Sequence, residues 1–240
     1  MLLDRGCHRL LLSPSLNRRL AAEALGTGFL IIAVIGSGIM AERLTTDVAL
    51  RLLCNAVATG GALVALIVIF APISGASFNP AVGLVNRLLG LTNTAEFVAY
   101  TAAQVVGGCA GAIIANLMFD LPAVNLSEHT RSGGNIWLSE VVATVGLLLV
   151  IHGTIRARRT SWVPFTVAAW ITGAYFFTSS TSLANPAVTI ARSLSNTFAG
   201  IAPESVSLFV LFQIIGAFIA YAIIRSVFDQ LSPTTNGAAL

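Results

Sequence analysis

FNPAV at residues 78–82 and ANPAV at 184–188 differ in one residue of five, and their reading decides the fold. Asn is a favoured helix N-cap. Pro suits the first helical position, where its missing N–H would have no partner anyway. Each stretch therefore reads as a helix start. Each also sits in a moderately apolar segment, 74–90 and 183–198, too short and too punctuated for an ordinary membrane span. A helix from Asn79 to Gly90 would run about 18 Å at 1.5 Å per residue, so two placed end to end predict about 36 Å. That is close to one membrane thickness.

Outward from these segments, continuous apolar runs cover 20–40, 50–70, 97–119, 138–155, 162–179 and 206–228. They predict six full spans. Of the 240 residues, 56% are hydrophobic and 10% charged, with a mean hydropathy of +0.86. A soluble domain carries about 25% charged residues. Disorder and a soluble enzyme are therefore both excluded, and the bilayer is the expected partner. The net charge of +3 is too mild to imply nucleic acid. Cys7, Cys54 and Cys109 have no metal-ligand spacing, so neither a metal nor a cofactor is expected.

All 13 basic residues are Arg. The positive-inside rule favours cytoplasmic N- and C-termini. Arg5, Arg9, Arg18, Arg19, Arg87, Arg156, Arg158, Arg159 and Arg225 then lie inside, with Arg43, Arg51, Arg131 and Arg192 outside.

An internal repeat accompanies the spans. AAEALGTGFLIIAV from Ala21 aligns with LSEVVATVGLLLVI from Leu138, matching Glu23 to Glu140 and Thr27 to Thr144. Three spans per half is an odd number, so the second half enters the membrane from the opposite side. Short, interrupted segments at matching places in such inverted halves point to the transport site. The predicted fold is all-α: six transmembrane helices plus two re-entrant half-helices in an inverted 3+3 repeat. Irregular backbone at that depth implies a wet pathway.

Two Asn-Pro-Ala motifs, Asn79-Pro80-Ala81 and Asn185-Pro186-Ala187, each preceded by a Glu-bearing first helix, resemble the aquaporin or major intrinsic protein family. The resemblance covers 20–228, with repeat halves 20–119 and 138–228. It leaves a cytoplasmic N-terminal segment at 1–19 and a tail at 229–240. It implies a non-enzymatic, passive channel with a pore in every subunit of a homotetramer, conducting water or small uncharged solutes. It further implies that Asn79 and Asn185 cap their half-helices and also donate hydrogen bonds to passing solute. The two positive helix termini would repel cations and break proton hopping.

Glu23 and Glu140 are acids within membrane helices. They read as structural acceptors for loop N–H groups, with a proton relay as the alternative. His152, near the cytoplasmic end of its helix, reads as interfacial. Gly107 and Gly111, four apart, suggest close helix packing or a chance spacing in a chain with 21 glycines.

Spacing from the motifs places the family's four filter positions at Thr59, Gly173, Ser182 and Val188. Water-selective members usually have an aromatic, a His, a small residue and an Arg there. Glycerol channels usually have aromatics, a Gly and the Arg. This set contains no aromatic, and Val188 replaces the Arg, which implies a wide, uncharged constriction. Arg192, one helical turn beyond Val188, is a candidate outer pore cation or a packing residue.

Together with NPAVTIARSL from Asn185, the filter is similar to the bacterial branch associated with arsenic-resistance gene clusters. This implies a bacterial inner-membrane aquaglyceroporin passing arsenite as neutral As(OH)3, glycerol-like polyols and water. The alternatives are an ordinary water and glycerol facilitator and an ion-coupled secondary transporter.

Overall fold

A computed structural model describes residues 14–228. The expectations for Cys7, Arg5, Arg9 and the 229–240 tail lie outside them. The described residues form α1 (Leu16–Leu44), α2 (Val48–Ser74), α3 (Pro80–Leu88), α4 (Thr94–Met118), α5 (Gly134–Arg156), α6 (Val163–Phe177), α7 (Pro186–Arg192) and α8 (Pro203–Ile223). A 3-10 turn, Thr160–Trp162, leads into α6, and a π segment, Ile224–Phe228, extends α8.

Five of these helices are long and apolar enough to cross a membrane: α1, α2, α4, α5 and α8 with its π extension. The sixth, α6, has only 15 residues. The run expected at 162–179 ends as helix at Phe177 because Thr178 turns to extended backbone (φ −111°, ψ 142°) and begins the second re-entrant loop. α1 starts four residues earlier than the apolar run, taking Arg18 and Arg19 into its first turns. The expected boundary at 19/20 therefore falls inside a helix. Arg19 pairs with Glu96 at the start of α4, and its guanidinium lies 5.9 Å from the centre of the Tyr100 ring.

The half-helices are shorter than the sequence predicts. α3 has nine residues and α7 seven, together about 24 Å at 1.5 Å per residue. Extended loops supply the remaining depth. In each loop, residues matched by the repeat take positive φ: Ala76 and Ser182 (50° and 53°), then Phe78 and Ala184 (46° and 47°). Non-glycine residues pay a steric cost there that the surrounding structure must offset.

Packing repeats the inversion. α1 lies against α4 and α2, as α5 lies against α8 and α6. α2 meets α6 between the halves, while α3 also packs on α8 and α7 on α4, so each half-helix docks on the other half's last helix. The closest crossing is α1 with α4. A Cβ on Gly107 would collide with the Ala24 carbonyl, and one on Gly111 with that of Gly28. The four-residue glycine spacing is therefore a packing device. Large apolar side chains such as Phe29, Val57, Val106 and Phe218 face outward. That pattern suits a bundle whose solvent is lipid, and it explains why the helices carry so little amphipathic character.

Candidate functional site

Asn79 and Asn185 cap α3 and α7 as their dipeptides predict. The Asn79 carboxamide oxygen accepts from Ala81 N at 2.9 Å. That of Asn185 accepts from Ala187 N at 3.0 Å and Val188 N at 3.2 Å. The amide ends are joined reciprocally. Asn79 Nδ2 donates to Ala184 O, and Asn185 Nδ2 donates to Phe78 O, both at 2.8 Å. Each loop is thus tied to the residue preceding the other loop's Asn. A primary amide carries two N–H groups. One is spent on this clasp, and the second is left for the cavity that both Asn side chains line.

The carboxylates hold these loops in place. Glu23 and Glu140 are fully buried. Glu23 Oε1 accepts from Ser74 Oγ (2.6 Å) and Ser77 N (3.1 Å). Its Oε2 accepts from Ser77 Oγ (2.9 Å), Phe78 N (2.8 Å) and Gln104 Nε2 (2.7 Å). Glu140 Oε1 accepts from Ser180 Oγ (2.6 Å) and Leu183 N (3.0 Å). Its Oε2 accepts from Ala184 N (2.8 Å) and Gln213 Nε2 (2.6 Å). Both sets use a serine, two successive loop N–H groups and a glutamine amide. Every donor points at an oxygen, which is the environment of an ionised carboxylate acting as acceptor only. Gln104 and Gln213 are the partners that sequence reasoning missed. Their signal was available: a lone amide in AQVVGG and in FQIIGA, one in the last span of each half.

A cavity of about 170 Å³ runs past the clasp. Its walls include Leu63 and Ile67 of α2, Val82 and Asn86 of α3, Leu147 and Ile151 of α5, and Val167 and Ile171 of α6. Three of the four expected filter residues, Thr59, Ser182 and Val188, line it, each less than a tenth exposed. Gly173 does not. An added Cβ there would face Phe177, at 3.5 Å, and the α6 residues at the cavity are Val167, Ile171 and Tyr175. At about 100° per residue, Gly173 lies some 200° around the helix from both Ile171 and Tyr175. The four expected positions hold no aromatic, but the cavity wall they belong to does. Tyr175 is buried at the cavity, its phenol 3.2 Å from Thr59 Oγ1.

Arg192 also lines the cavity and is only 2% exposed. Its Nε donates to Ala199 O. Arg131, from the α4–α5 connection, donates from Nε to the next carbonyl, Gly200 O, at 3.0 Å. Burial, and then the neighbouring Arg192 charge, push the Arg131 guanidinium down to about 10. His152 is 6% exposed, and its Nε2 is enclosed without a hydrogen-bond partner among the described residues, so its side chain packs inside the bundle near the end of α5. Among the described residues no group of His, Cys, Asp and Glu is arranged to hold a metal ion.

Comparison with known proteins bears on this geometry. The family model described as "Major intrinsic protein" matches residues 11–180. A curated relative, "Aquaglyceroporin AqpS" of Rhizobium meliloti (strain 1021), is 50% identical over 218 residues, covering 91% of this chain and 93% of the relative. "Aquaporin A" of Dictyostelium discoideum is 35% identical over 138 residues, 55% of this chain and 50% of that one. Among solved structures, the aquaglyceroporin from Plasmodium falciparum superposes with a TM-score of 0.71 at 19% identity, covering 90% of this chain and 98% of that one.

Proposed function

The chain belongs to the major intrinsic protein family, and from that premise we propose that its cavity passes metalloid hydroxides such as arsenite, As(OH)3, together with glycerol-like polyols and water. It is a multi-pass membrane protein and a non-enzymatic channel for small neutral solutes. The observation that carries the substrate reading is Val188. The residue directly after the second Asn-Pro-Ala motif is a small apolar side chain at the cavity wall, with Thr59 and Ser182 as its hydroxyl-bearing companions. This wall offers space and hydroxyls at the depth where the family usually sets a guanidinium. Its apolar remainder costs an uncharged solute little and an ion a great deal.

Selection against ions then rests on the midplane. The N-termini of α3 and α7 meet where Asn79 and Asn185 are clasped, and their partial positive charges repel cations. Arg192 is the outer pore cation in this reading. The relative named an aquaglyceroporin, half identical over nearly its whole length, supports solutes larger than water. A homotetramer in a bacterial inner membrane, with both termini cytoplasmic, completes the proposal.

The test is solute entry into proteoliposomes without any ion gradient. Arsenite and glycerol should both enter down their own gradients, faster than into empty vesicles. Entry of water alone would reduce the protein to a water channel. Dependence on a proton gradient would make it an ion-coupled transporter.

A further inference from the structure

Arg131 and Arg192 reach the same loop from different elements and take successive carbonyls, Gly200 O and Ala199 O. Arg131 also extends Nη1 to Ser180 O at 3.5 Å. Neither forms an ion pair; the ion pair found among the described residues is Arg19–Glu96, at the opposite ends of the helices. The acid whose field both arginines feel is Glu140, and its oxygens are already taken by Ser180, Leu183, Ala184 and Gln213. The Nη groups of Arg192 make no hydrogen bond among the described residues, although the side chain is buried at the cavity wall. Ser182 Oγ, in the same wall, is likewise buried without a partner.

Arg192 and the unused Ser182 hydroxyl therefore share the cavity wall, and half-buried Arg131 stands behind Arg192 on the neighbouring carbonyl, so two guanidinium charges without an ion pair meet at this end of the cavity. Burying a charge without a counter-ion is costly, so an anion seated there would relieve the cost. The planar fork of Arg matches the paired oxygens of an oxyanion. We propose that the α7-side mouth holds an oxyanion-binding site built from Arg131, Arg192 and Ser182. This goes beyond the neutral-solute reading. The site repels cations, concentrates oxyanions at the entrance, and when filled obstructs the passage of neutral solutes.

The test uses the full chain in detergent with inorganic phosphate as the probe and chloride at equal ionic strength as the control. Phosphate should raise the unfolding temperature saturably. In Arg131→Gln the apparent affinity should fall about tenfold, as for the loss of one charge-assisted contact. Arg192→Lys keeps the charge but loses the fork and should weaken phosphate as well. In proteoliposomes, phosphate on the α7 side should slow glycerol entry through the unmodified channel and not through Arg131→Gln. Equal unfolding temperatures in phosphate and chloride overturn the site, as does a phosphate effect that survives both substitutions. If glycerol fails to enter in either anion, the neutral-solute reading fails, and the unfolding comparison still decides the site.

Discussion

The Tyr175 phenol lies 3.2 Å from the Thr59 hydroxyl and joins α6 to α2 at the cavity wall. The ring stands where spacing from the motif placed only a glycine two residues away. Tyr175→Ala should widen the wall and raise glycerol and arsenite permeability several-fold. Tyr175→Phe keeps the ring and frees the Thr59 hydroxyl, so the glycerol-to-water ratio should move by less than about tenfold, within the range of one hydrogen bond. Stopped-flow light scattering on one liposome preparation measures both. Ratios unchanged in both variants would remove Tyr175 from the selective wall.

Val188→Arg reinstates the cation the family usually carries. The longer side chain fills space beside Thr59 and Ser182 and adds a third positive charge near Arg192 and Arg131. Glycerol and arsenite flux should drop by about tenfold or more, a barrier increase of at least about 1.4 kcal/mol, while water flux falls less. Arsenite entry equal to that of the unmodified channel would mean the constriction lies elsewhere.

Glu140→Gln turns an acceptor toward donors that have no alternative. One carboxylate oxygen becomes an NH2 facing the N–H groups it formerly served. A loss of about 1–3 kcal/mol of stability should follow for each donor left unpaired, read as a lower unfolding temperature in detergent. Glycerol entry per folded channel should persist without a pH gradient. Intact stability with abolished transport would instead assign Glu140 to proton transfer.

Gly111→Leu tests the α1–α4 crossing. Even a Cβ meets the Gly28 carbonyl. Overpacking a tight contact costs typically about 1–3 kcal/mol, and a backbone carbonyl yields less readily than a side chain. The variant should express poorly or melt early, whereas the same change at Gly61, where an added Cβ meets nothing within 4 Å, should be tolerated. Equal melting of the two would dissociate the glycine spacing from packing.

Much of this architecture was legible one residue at a time. Asn79-Pro80 and Asn185-Pro186 are local signals, because a cap and a first-turn proline act on their own backbone. The inverted repeat followed from counting spans, and the carboxylates from an acid standing in an apolar run. Thr59, Ser182 and Val188 were placed by spacing and do line the cavity. Gly173 is not among the lining residues, and the twelve residues counted back from Asn185 to reach it cross an irregular loop. There, residues no longer convert to rotation about a helix axis, so the count alone does not say which face of α6 a residue presents.

The amino-acid sequence alone placed the starts of α3 and α7 at their Asn-Pro pairs and marked the apolar runs that become the long helices. These are consequences of backbone chemistry and of the apolar length needed to cross lipid. Only the tertiary structure decided which groups share the cavity wall. The reciprocal Asn79–Ala184 and Asn185–Phe78 clasp, the Gln104 and Gln213 arms on the carboxylates, and Arg131 beside Arg192 all join residues far apart in the chain. No local preference encodes such meetings. They arise because buried donors and acceptors must find partners once the two half-helices meet inside the bundle.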